Sequence, residues 1–321
     1  MPRERKGILS LMRILVTGGA GFIGSHVADA YLEQGHEVII VDDLSRGSLK
    51  NVNPRAKFYR GDILDRAFVD SVFAKEKPEV LNHHAAQMDV SRAVREPVWD
   101  ATVNIIGSLN LLQAAVAYSA SRIVYASTGG AIYGNPTQLP VSEETPPAPI
   151  SPYGISKHTV EHYLHLFHVL YNIPYVVLRY GNVYGPRQSS KGEAGVFAIF
   201  CEQMLNGEQP VIYGDGSKVR DYIFVSDIAR ANVAALTHGA GEIYNVASGT
   251  GTRDQDVFDR LRDLVAKEKI NPRYASKRPG EVDRIYLDIS KAEAGLNWKP
   301  TVPLSDGARM TVEFFRLSAS G

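Results

Sequence analysis

Short apolar runs rich in β-branched residues alternate with longer helical patterns through the first half of the chain. The runs lie at residues 14–16, 38–41, 57–59, 80–82, 123–126 and 176–178. Helical periodicity fills most of the intervals between them, for example residues 103–117. Parallel strands that are joined by helices form right-handed crossovers. The pattern therefore predicts an α/β fold built on a doubly wound, parallel Rossmann sheet.

The second half of the chain is less regular. Residues 136–152 are rich in proline and predict a loop. After Tyr180, glycine-rich turns alternate with short strands and helices. We expect a Rossmann domain over residues 12–180 and a smaller C-terminal α/β substrate lobe over residues 181–321. The boundary is soft, so segments of one part can belong to the other. Residues 1–11 are charged at their start and predict a disordered extension, with Met12 as an alternative first residue.

Composition narrows the possible functions. Basic and acidic residues both number 35 among 321, so the chain lacks the basic excess of a generic nucleic-acid binder. No apolar run approaches the length that spans a bilayer, and we expect no membrane contact. Cys201 is the only cysteine, which excludes an intramolecular disulfide and a cysteine zinc cluster. A cytoplasmic location fits this cysteine usage.

A glycine-rich loop follows the first predicted strand. Gly18, Gly21 and Gly24 recur at intervals of three between that strand and a helix. Such glycines allow a tight turn, close approach of a pyrophosphate and packing of the helix on the strand. Asp42 ends the second strand, where an acid that binds the adenosine ribose is expected. The context favours a dinucleotide site over a plain glycine turn, and NAD over NADP, although Arg46 weakens that preference slightly.

A second motif suggests proton transfer. Tyr153 and Lys157 are four residues apart in a predicted helix that Ser151 can cap, so their side chains share a face. The Lys157 ammonium is expected to lower the pKa of Tyr153, and the resulting phenolate is a competent general base toward a sugar hydroxyl. A strand that ends in Ser127 and Thr128 supplies a hydroxyl to hold the reacting oxygen.

These pieces belong to a longer set of matches. The chain resembles the extended short-chain dehydrogenase/reductase superfamily and, within it, the bacterial UDP-glucose 4-epimerase (UDP-galactose 4-epimerase) group. The matching segments cover nearly the whole chain from Met12 and follow the family order. They are TGGAGFIG at 17–24, GDI at 61–63, HHAAQ at 83–87, STGGAIYG at 127–134, SPYGISK at 151–157, LRYGNVYGPRQ at 178–188, GDGSKVRDYIFVSD at 214–227 and RPGEVDRIYLDISKAEAGLNWKP at 278–300.

The resemblance implies an isomerase that keeps NAD bound between turnovers. Tyr153 removes the proton of the sugar 4-hydroxyl while a hydride passes from C4 to the nicotinamide. The 4-keto sugar then rotates and receives the hydride on its other face, which interconverts UDP-glucose and UDP-galactose. The implied catalytic residues are Thr128, Tyr153 and Lys157, with Ser127 as the second choice for the hydroxyl.

The resemblance also implies two sets of binding residues and no metal. The NAD set comprises Gly18, Gly21, Phe22, Ile23, Gly24, Asp42, Asp43, Leu44, Ser45, Arg46, Gly47, Asp62, Ile63, His84, Ala85, Ala86, Gln87, Asn104, Tyr153, Lys157, Tyr180 and Gly181. The set for the UDP-hexose comprises Thr128, Tyr153, Asn182, Arg187, Val196, Val211, Tyr213, Arg220, Arg278 and Glu281. The arginines suit a diphosphate.

Three positions depart from the family pattern. Gly129 replaces a serine that many members have, so Thr128 takes the hydroxyl role. Met88 replaces a lysine near the nicotinamide. Ile285 matches a position whose bulk limits N-acetylated sugars, and its intermediate size leaves UDP-N-acetylhexosamine and UDP-uronate 4-epimerases open as alternatives.

Two further functions compete with epimerisation. A nucleotide-sugar 4,6-dehydratase needs an acid/base pair directly after the strand-end hydroxyl, and related decarboxylases often have a glutamate there. Gly129 and Gly130 occupy those positions and cannot transfer protons. A non-catalytic NAD-binding protein would commonly have lost the tyrosine or the lysine, whereas Tyr153 and Lys157 are both present.

Some features allow two interpretations. His158, His162, His165 and His168 recur at helical spacing, but without an acidic residue to complete a metal site they favour a surface or interface. His83 and His84 favour a structural role in the cofactor cleft. The apolar faces of the helices at 103–117 and after Tyr153 fit ordinary core or, by resemblance, a homodimer. Residues 189–195 fit either a lid or a surface loop.

Overall fold

A parallel sheet forms the centre of the computed structural model, which describes residues 11–190, 195–265, 270–277 and 282–319. The strands are β1 Arg13–Thr17, β2 Glu37–Asp42, β3 Lys57–Arg60, β4 Val80–His83, β5 Arg122–Thr128, β6 Tyr175–Tyr180, β7 Asn182–Tyr184, β8 Val211–Tyr213, β9 Val219–Phe224, β10 Glu242–Val246, β11 Gly251–Arg253 and β12 Arg273–Ala275.

Helices cover both faces of this sheet and build the smaller lobe. They are α1 Phe22–Glu33, α2 Arg66–Glu76, α3 Val90–Arg95, α4 Pro97–Ala101, α5 Gly107–Ala117, α6 Gly129–Ile132, α7 Pro152–Tyr171, α8 Val196–Leu205, α9 Val225–Ala235, α10 Asp254–Val265, α11 Ser290–Leu296 and α12 Leu304–Ala319. A 3₁₀ turn at Leu49–Asn51 and a π-helical turn at Thr102–Ile106 complete the described helical segments.

The main sheet has seven strands in the order β10-β6-β5-β4-β1-β2-β3, and every neighbouring pair is parallel. All six residues of β6 are buried, as expected for a strand that helices cover on both faces. The predicted doubly wound sheet is therefore confirmed. From β1 the strands are added toward one edge of the sheet, and from β4 they are added toward the other edge, so the strand order reverses between β1 and β4. α/β proteins bind ligands beyond the carboxyl ends of the strands at such a point.

The C-terminal half contributes to both parts of the molecule. Strand β10 pairs with β6 at the edge of the main sheet, although it lies beyond Tyr180 in the chain. Two small sheets, β11-β9-β7 and β12-β8, and the helices α8, α10 and α12 form the separate lobe. A division into residues 12–180 and 181–321 therefore remains a proposal in which the segments interleave. Residues 1–10 lie outside the described residues.

Helix α7 begins where the sequence predicts. The Ser151 hydroxyl accepts a hydrogen bond from a first-turn backbone N–H at 3.2 Å, and Pro152 occupies the first helical position. Asn172 ends the helix in the left-handed conformation, with φ of 55°. One face is buried against the sheet by Val160, Leu164 and Phe167. This packing holds α7 against the strands that end at the site.

The predicted helix at 103–117 is not a continuous α-helix. A π-helical turn at Thr102–Ile106 precedes α5, and Asn104 within it is 2% exposed. The Asn104 amide donates hydrogen bonds to the Gln87 carbonyl at 3.0 Å and the Ser156 hydroxyl at 3.1 Å. These buried contacts accompany the wider turn, which hydrophobic periodicity does not reveal. Such π turns are frequent at functional sites.

The described ranges support neither a membrane-spanning helix nor a metal site. None of the helices in these ranges is both long and apolar enough to cross a bilayer. The same ranges contain no cluster of three metal-binding side chains.

Cys201 is buried in α8, and burial raises the pKa of its thiol to about 12. The thiol therefore stays protonated and unreactive at neutral pH.

A buried ion pair ties α7 to β6. The Arg179 guanidinium donates to the two oxygens of Glu161 at 3.0 and 2.6 Å, and both side chains are 3% exposed. Burial acts to raise the pKa of Glu161, but hydrogen bonds from His158 and Arg179 outweigh burial and lower it. Because the contact is bidentate, it fixes the rotation of α7 against the sheet.

We expect Arg179→Met to lower the free energy of unfolding by about 3–5 kcal/mol, because it leaves Glu161 buried without its cation. Urea denaturation at pH 7 measures this change. Arg309→Met is a matched control, since Arg309 pairs with Asp306 on the surface and should cost less than about 1 kcal/mol. Equal losses in the two variants would contradict the structural role of the buried pair.

Candidate active site

The glycine-rich loop follows β1 at the point where the sheet order reverses. Gly18 has φ of +69°, and a Cβ there would lie 2.7 Å from the backbone nitrogen of Ala85. A Cβ at Gly24 would lie 2.3 Å from the Gly18 oxygen. Side chains are therefore excluded from this turn. Gly21 precedes α1 and provides no side-chain cap, which leaves first-turn N–H groups for an anion.

Asp42 lies beside this loop at the end of β2. Its carboxylate accepts hydrogen bonds from the backbone N–H groups of Ala20 at 3.0 Å and Leu44 at 2.8 Å. Burial raises the pKa of Asp42, and these hydrogen bonds oppose the change. A Cβ at Gly47 would lie 2.8 Å from the same carboxylate. The bare cradle and its neighbouring acid fit the pyrophosphate and ribose of a dinucleotide.

The other predicted NAD residues lie beyond the C-terminal ends of the main-sheet strands. Phe22 and Ile23 open α1, and residues 43–47 follow β2. Asp62 and Ile63 follow β3, and the Asp62 carboxylate accepts from the backbone of Leu64 at 2.9 Å. Residues 84–87 follow β4, while Tyr180 ends β6 and Gly181 comes next. The structure thus gathers the set along one edge of the sheet.

His83 is held in a closed hydrogen-bond chain. Its Nε2 lies 2.8 Å from the Ser108 hydroxyl, which donates onward to the Asn104 carbonyl at 2.5 Å. Since Ser108 has one proton, Nε2 must be the donor, and Nδ1 accepts from Thr17 at 2.8 Å. Burial lowers the pKa of His83 well below its usual range. The imidazole therefore stays neutral and has a structural role.

His84 packs against Tyr180. The two rings stack with centroids 6.0 Å apart, and Nε2 lies 3.1 Å from the Tyr180 hydroxyl. Burial lowers the pKa of His84 to about 3. Its Nδ1 is buried and has no hydrogen-bond partner within the described part of the chain. A neutral, fixed ring thus borders the predicted cofactor cleft.

Thr128, Tyr153 and Lys157 come together at the end of β5. The Thr128 hydroxyl lies close enough to the Tyr153 phenol to lower the pKa of that phenol. Lys157 is 3% exposed, and its Nζ lies 4.2 Å from the centroid of the Tyr125 ring. A cation over an aromatic face gains electrostatic stabilisation. The strand-end hydroxyl, the phenol and the ammonium therefore share one pocket, as their sequence positions predict.

The predicted direction of the tyrosine pKa is wrong for the chain alone. Burial and, to a smaller extent, the charge of Asp100 raise the pKa of Tyr153 to about 12, and the Thr128 hydroxyl opposes this rise. Burial lowers the pKa of Lys157 to about 7, against the charges of Glu161 and Asp100. Desolvation disfavours both charged forms. Burial is the largest cause of both shifts.

Ser127 is not part of this pocket, which corrects its place in the predicted catalytic set. Its hydroxyl donates to Glu161 at 2.6 Å, and the residue is 4% exposed. Both side chains meet α7, but at different turns of the helix. Thr128, the last residue of β5, acts on the Tyr153 phenol, whereas Ser127 donates into the buried ion pair.

Gly129 and Gly130 open α6 directly after Thr128. A Cβ at Gly129 would lie 2.4 Å from a methyl carbon of Leu287, so a side chain there requires the Leu287 side chain to shift. A Cβ at Gly130 would lie 3.5 Å from the Asn182 amide oxygen and 3.9 Å from the Thr128 hydroxyl, which are ordinary contacts. Neither glycine supplies a group that transfers protons.

The predicted substrate residues are placed differently from one another. Asn182 is exposed and faces Gly130 across the pocket. The Arg220 guanidinium donates to the backbone oxygens of Val219 at 2.9 Å and Val282 at 2.5 Å. Val196 begins α8, Val211 and Tyr213 lie in β8, and Arg278 and Glu281 lie outside the described residues.

Arg187 departs from its predicted place. Its guanidinium forms an ion pair with Asp29 of α1 at 2.7 Å, where Arg187 has φ of 66°. The charge is therefore used between the loop after β7 and the Rossmann helix. Sequence spacing gives no sign of this contact, and diphosphate binding by Arg187 stays a prediction.

Sequence reasoning missed Asp100. Its carboxylate is 1% exposed and accepts hydrogen bonds from the side chains of Gln87 at 2.9 Å and Asn104 at 3.2 Å. Its charge acts on both Tyr153 and Lys157. A single acid in a helical segment is usually solvated, so the sequence carries no signal for this position.

The histidines of α7 do not converge on a ligand. His158 and His162 lie 3.2 Å apart between Nε2 atoms, and His158 Nδ1 lies 3.1 Å from Glu161. His168 lies 3.1 Å from the carbonyl of Ile173. We therefore retain the interpretation of surface and interface histidines. Of residues 189–195, the segment 191–194 lies outside the described residues.

Comparison with known proteins places this geometry in context. The model of the NAD-dependent epimerase/dehydratase family matches residues 14–247. The solved UDP-glucose 4-epimerase of Thermotoga maritima, with UDP-glucose, is 48% identical, with 96% of this chain and 100% of that chain covered and a TM-score of 0.94.

Two further solved structures are similar. The UDP-glucose 4-epimerase of Thermus thermophilus, in complex with NAD, is 43% identical, with 95% of this chain and 99% of that chain covered and a TM-score of 0.91. The UDP-N-acetylglucosamine 4-epimerase of Methanobrevibacter ruminantium, in complex with UDP-N-acetylmuramic acid, is 34% identical, with 97% and 100% covered and a TM-score of 0.91.

We expect Gly129→Ala to destabilise the protein by about 1–2 kcal/mol, because the new methyl group overpacks Leu287. Gly130→Ala is the matched control, since its methyl group meets only ordinary contacts, and should change stability by less than about 0.5 kcal/mol. Thermal unfolding of the two variants side by side measures the difference. A neutral change at Gly129 would show that Leu287 can move aside.

Proposed function

Since the chain belongs to the NAD-dependent epimerase/dehydratase family, we propose that it is a nucleotide-sugar 4-epimerase that interconverts UDP-glucose and UDP-galactose. The observation that carries the proposal is the convergence of Thr128, Tyr153 and Lys157 in one pocket. The comparisons with relatives solved with UDP-glucose and with NAD support the same reaction class.

The residues after Thr128 favour epimerisation over dehydration. A dehydratase needs a proton donor and acceptor to eliminate water from the sugar. Gly129 and Gly130 carry no side chain that could transfer a proton, and a side chain at Gly129 would meet a methyl group of Leu287. Proton transfer in this pocket therefore falls to Tyr153, which suffices for oxidation and reduction at a single carbon.

The glycine cradle, Asp42 and Lys157 would hold NAD. The cradle would receive the pyrophosphate, Asp42 would accept from the adenosine ribose, and the Lys157 ammonium would donate to the nicotinamide ribose. When bound, NAD supplies a hydride acceptor and a positive charge that favours a neighbouring phenolate. These roles support NAD over NADP, because Asp42 would repel a 2′-phosphate.

Tyr153 and Thr128 would act on the sugar. The Thr128 hydroxyl holds the reacting oxygen within reach of the phenol. Tyr153 as phenolate accepts the proton of the 4-hydroxyl when C4 is oxidised, and as phenol it returns a proton when C4 is reduced. Both steps leave the tyrosine in its starting state after one turnover.

The lobe would hold the nucleotide while the sugar rotates. Asn182 lies nearest to the residues that act on the sugar. Arg220, which the structure describes, is proposed to bind the diphosphate. The other positions proposed for the nucleotide-sugar are Val196, Val211, Tyr213, Arg278 and Glu281. Because the anchor is remote from C4, rotation of the keto sugar does not require release of the nucleotide.

The sugar admitted at C2 and C6 is a separate question. Ile285, the position linked to the admission of N-acetylated sugars, is 2% exposed and packs with Tyr133 and Leu287. The Ile285 side chain is therefore one member of a buried apolar cluster. A UDP-N-acetylglucosamine 4-epimerase is also among the similar structures, so acetamido sugars are the second candidate substrate.

A substrate panel tests the proposal. The purified protein, without added cofactor, is incubated with UDP-galactose, UDP-N-acetylgalactosamine and UDP-glucuronate, and the products are separated by chromatography. We expect UDP-glucose from the first substrate. A stable 4-keto-6-deoxy product would instead indicate a dehydratase, and no conversion of any sugar nucleotide would leave a binding protein.

We expect Tyr153→Phe to lower kcat for UDP-galactose by about 10²–10⁴-fold, because the pocket loses its proton acceptor. Bound NAD, extracted from the purified variant, should stay at the wild-type level. Tyr163→Phe removes a hydroxyl from the same helix outside the pocket and should keep full activity. Unchanged turnover in the Tyr153 variant would refute its role.

We also propose a homodimer that buries one face of the helices beside the site. Val94 on α3, Val98 on α4, and Leu166, Val169 and Leu170 on α7 are exposed. Helices α3 and α4 pack against α7, so these apolar side chains lie on neighbouring elements. Exposed apolar groups on adjoining elements favour a protein interface. We separately propose a cytoplasmic location for the protein.

The double substitution Val98→Asp and Val169→Asp should convert this dimer to a monomer, because two charges would be buried in the interface. Size-exclusion chromatography with light scattering measures the mass. Leu317→Asp places a charge at an exposed apolar position on α12 and should leave the mass unchanged. A monomeric wild type, or an unchanged double variant, would contradict the proposed interface.

A further inference from the structure

A row of buried polar side chains crosses three neighbouring strands of the main sheet. Ser127, Arg179 and Asn245 occupy paired positions on β5, β6 and β10, and all three are buried. Ser127 and Arg179 both donate to Glu161 of α7. The contacts of Asn245 extend this row to segments that lie outside the sheet.

The Tyr133 hydroxyl joins Asn245 to the ion pair of α7. It accepts from the Arg179 guanidinium at 2.8 Å and donates to the Asn245 amide oxygen at 2.8 Å. The Asn245 amide nitrogen donates to the carbonyls of Val141 at 2.9 Å and Asp288 at 3.2 Å. Because both amide protons are used, the orientation of the Asn245 side chain is fixed. One continuous network, which we term the buried frame, is formed by Glu161, Arg179, Tyr133 and Asn245.

The buried frame reaches both ends of α6, the short helix that follows Thr128. Tyr133 is the residue at which α6 ends. At the other end, the Leu287 side chain lies against Gly129, where an added Cβ would come within 2.4 Å of a Leu287 methyl carbon. Asn245 holds the segment of Leu287 through its hydrogen bond to the next residue. The position of α6 therefore depends on contacts that Asn245 makes in two directions.

We propose that Tyr133 and Asn245 are positioning residues that set the Thr128 hydroxyl relative to the Tyr153 phenol. The inference rests on the proposed roles of Thr128 and Tyr153. Arg179 takes part in both halves of the arrangement, since it binds α7, which carries Tyr153, and also binds Tyr133 at the end of α6. The two groups that act on the sugar are thus held by one set of buried hydrogen bonds.

The length of α6 explains why such support is needed. The helix has four residues, so its own helical hydrogen bonds cannot fix its position. The Thr128 hydroxyl must hold the reacting oxygen within hydrogen-bond reach of the phenol, and a displacement of about 1 Å can cost about 10²-fold in rate. A fully paired buried network favours a single geometry, because any other arrangement leaves buried polar groups without partners.

The substitution Tyr133→Phe tests the buried frame by removing one oxygen atom. We expect kcat for UDP-galactose to fall about 10–100-fold and KM to change less than about twofold, because the nucleotide is anchored in the lobe. Tyr31→Phe is the matched control. Tyr31 is also fully buried, and its hydroxyl accepts from Asn82 at 2.9 Å and donates to the Asn232 carbonyl at 3.2 Å. This control should lose a comparable amount of stability and keep the wild-type kcat.

A double-mutant cycle separates positioning from destabilisation. Thr128→Val removes the hydroxyl and keeps the shape of the side chain. If Tyr133 acts through that hydroxyl, the double variant should lose no more kcat than Thr128→Val alone, within about a factor of two. Independent effects would instead multiply. Asn245→Ala, combined with Thr128→Val in the same way, should give the same pattern and tests the other end of the contact with Tyr133.

A second measurement does not depend on turnover. Tyrosine labelled with ¹³C at Cζ is followed by NMR at pH 7, and the Tyr153 signal is assigned by its loss in Tyr153→Phe. Thr128→Val should shift this signal, because the hydroxyl beside the phenol is lost. Tyr133→Phe should shift it in the same direction, and the double variant should show no further shift. Tyr31→Phe should leave the signal in place.

The outcomes separate this inference from the proposed function. If the wild type converts UDP-galactose but Tyr133→Phe keeps the wild-type kcat, or the two losses multiply in the cycle, the buried frame does not position Thr128. A wild type without activity overturns the proposed function, while the Tyr153 signal still decides whether Tyr133 sets the hydroxyl. An equal fall of kcat in Tyr31→Phe would also overturn the inference, since it would reflect lost stability alone.

Discussion

The contact between Arg179 and Glu161 holds the pocket together. Tyr153, Lys157 and Glu161 follow one another at intervals of four on α7, so they share one face of the helix. Fixing Glu161 to β6 therefore fixes the direction in which the other two point. The same carboxylate accepts the hydroxyl of Ser127. Helix and strand end are thus aligned by one buried group.

This alignment has an electrostatic consequence. A buried phenol and a buried ammonium both tend toward their neutral forms, and burial shifts their pKa values in that direction. An epimerase must take up and return a proton at one position in each turnover. A phenol that retains its proton without ligands suits that task, provided that charge arrives with the cofactor. The charge of Asp100 raises the pKa of both groups.

Much of this arrangement follows from the sequence because it depends on local patterns. Alternating apolar runs and helical segments predict the parallel sheet, the glycine spacing predicts the loop after β1, and the interval from Tyr153 to Lys157 predicts their shared face. Each of these is a relation among residues that are near in sequence. The parallel strands then bring the loops together at one edge without further specification.

Other features depend on contacts between distant segments, and the sequence does not reveal them. The face that Ser127 takes follows from the register of β5 against β6 and from Glu161. The inward turn of Asn104 depends on the backbone of Gln87. Arg187 pairs with an acid of α1. The pKa of Tyr153 moves against expectation because desolvation is a property of the folded pocket.

The contact between Gly129 and Leu287 shows how the two halves of the chain limit the chemistry together. Leu287 lies between Tyr286 and Asp288, which both form backbone hydrogen bonds with Val141. It belongs to a buried cluster with Tyr133 and Ala247. A proton-transferring side chain at position 129 would therefore press on this cluster, whereas one at position 130 would not. The packing of the C-terminal half thus limits which side chains the first position after Thr128 accepts, because a larger group there overpacks Leu287 and a smaller residue at 287 alone would leave a cavity.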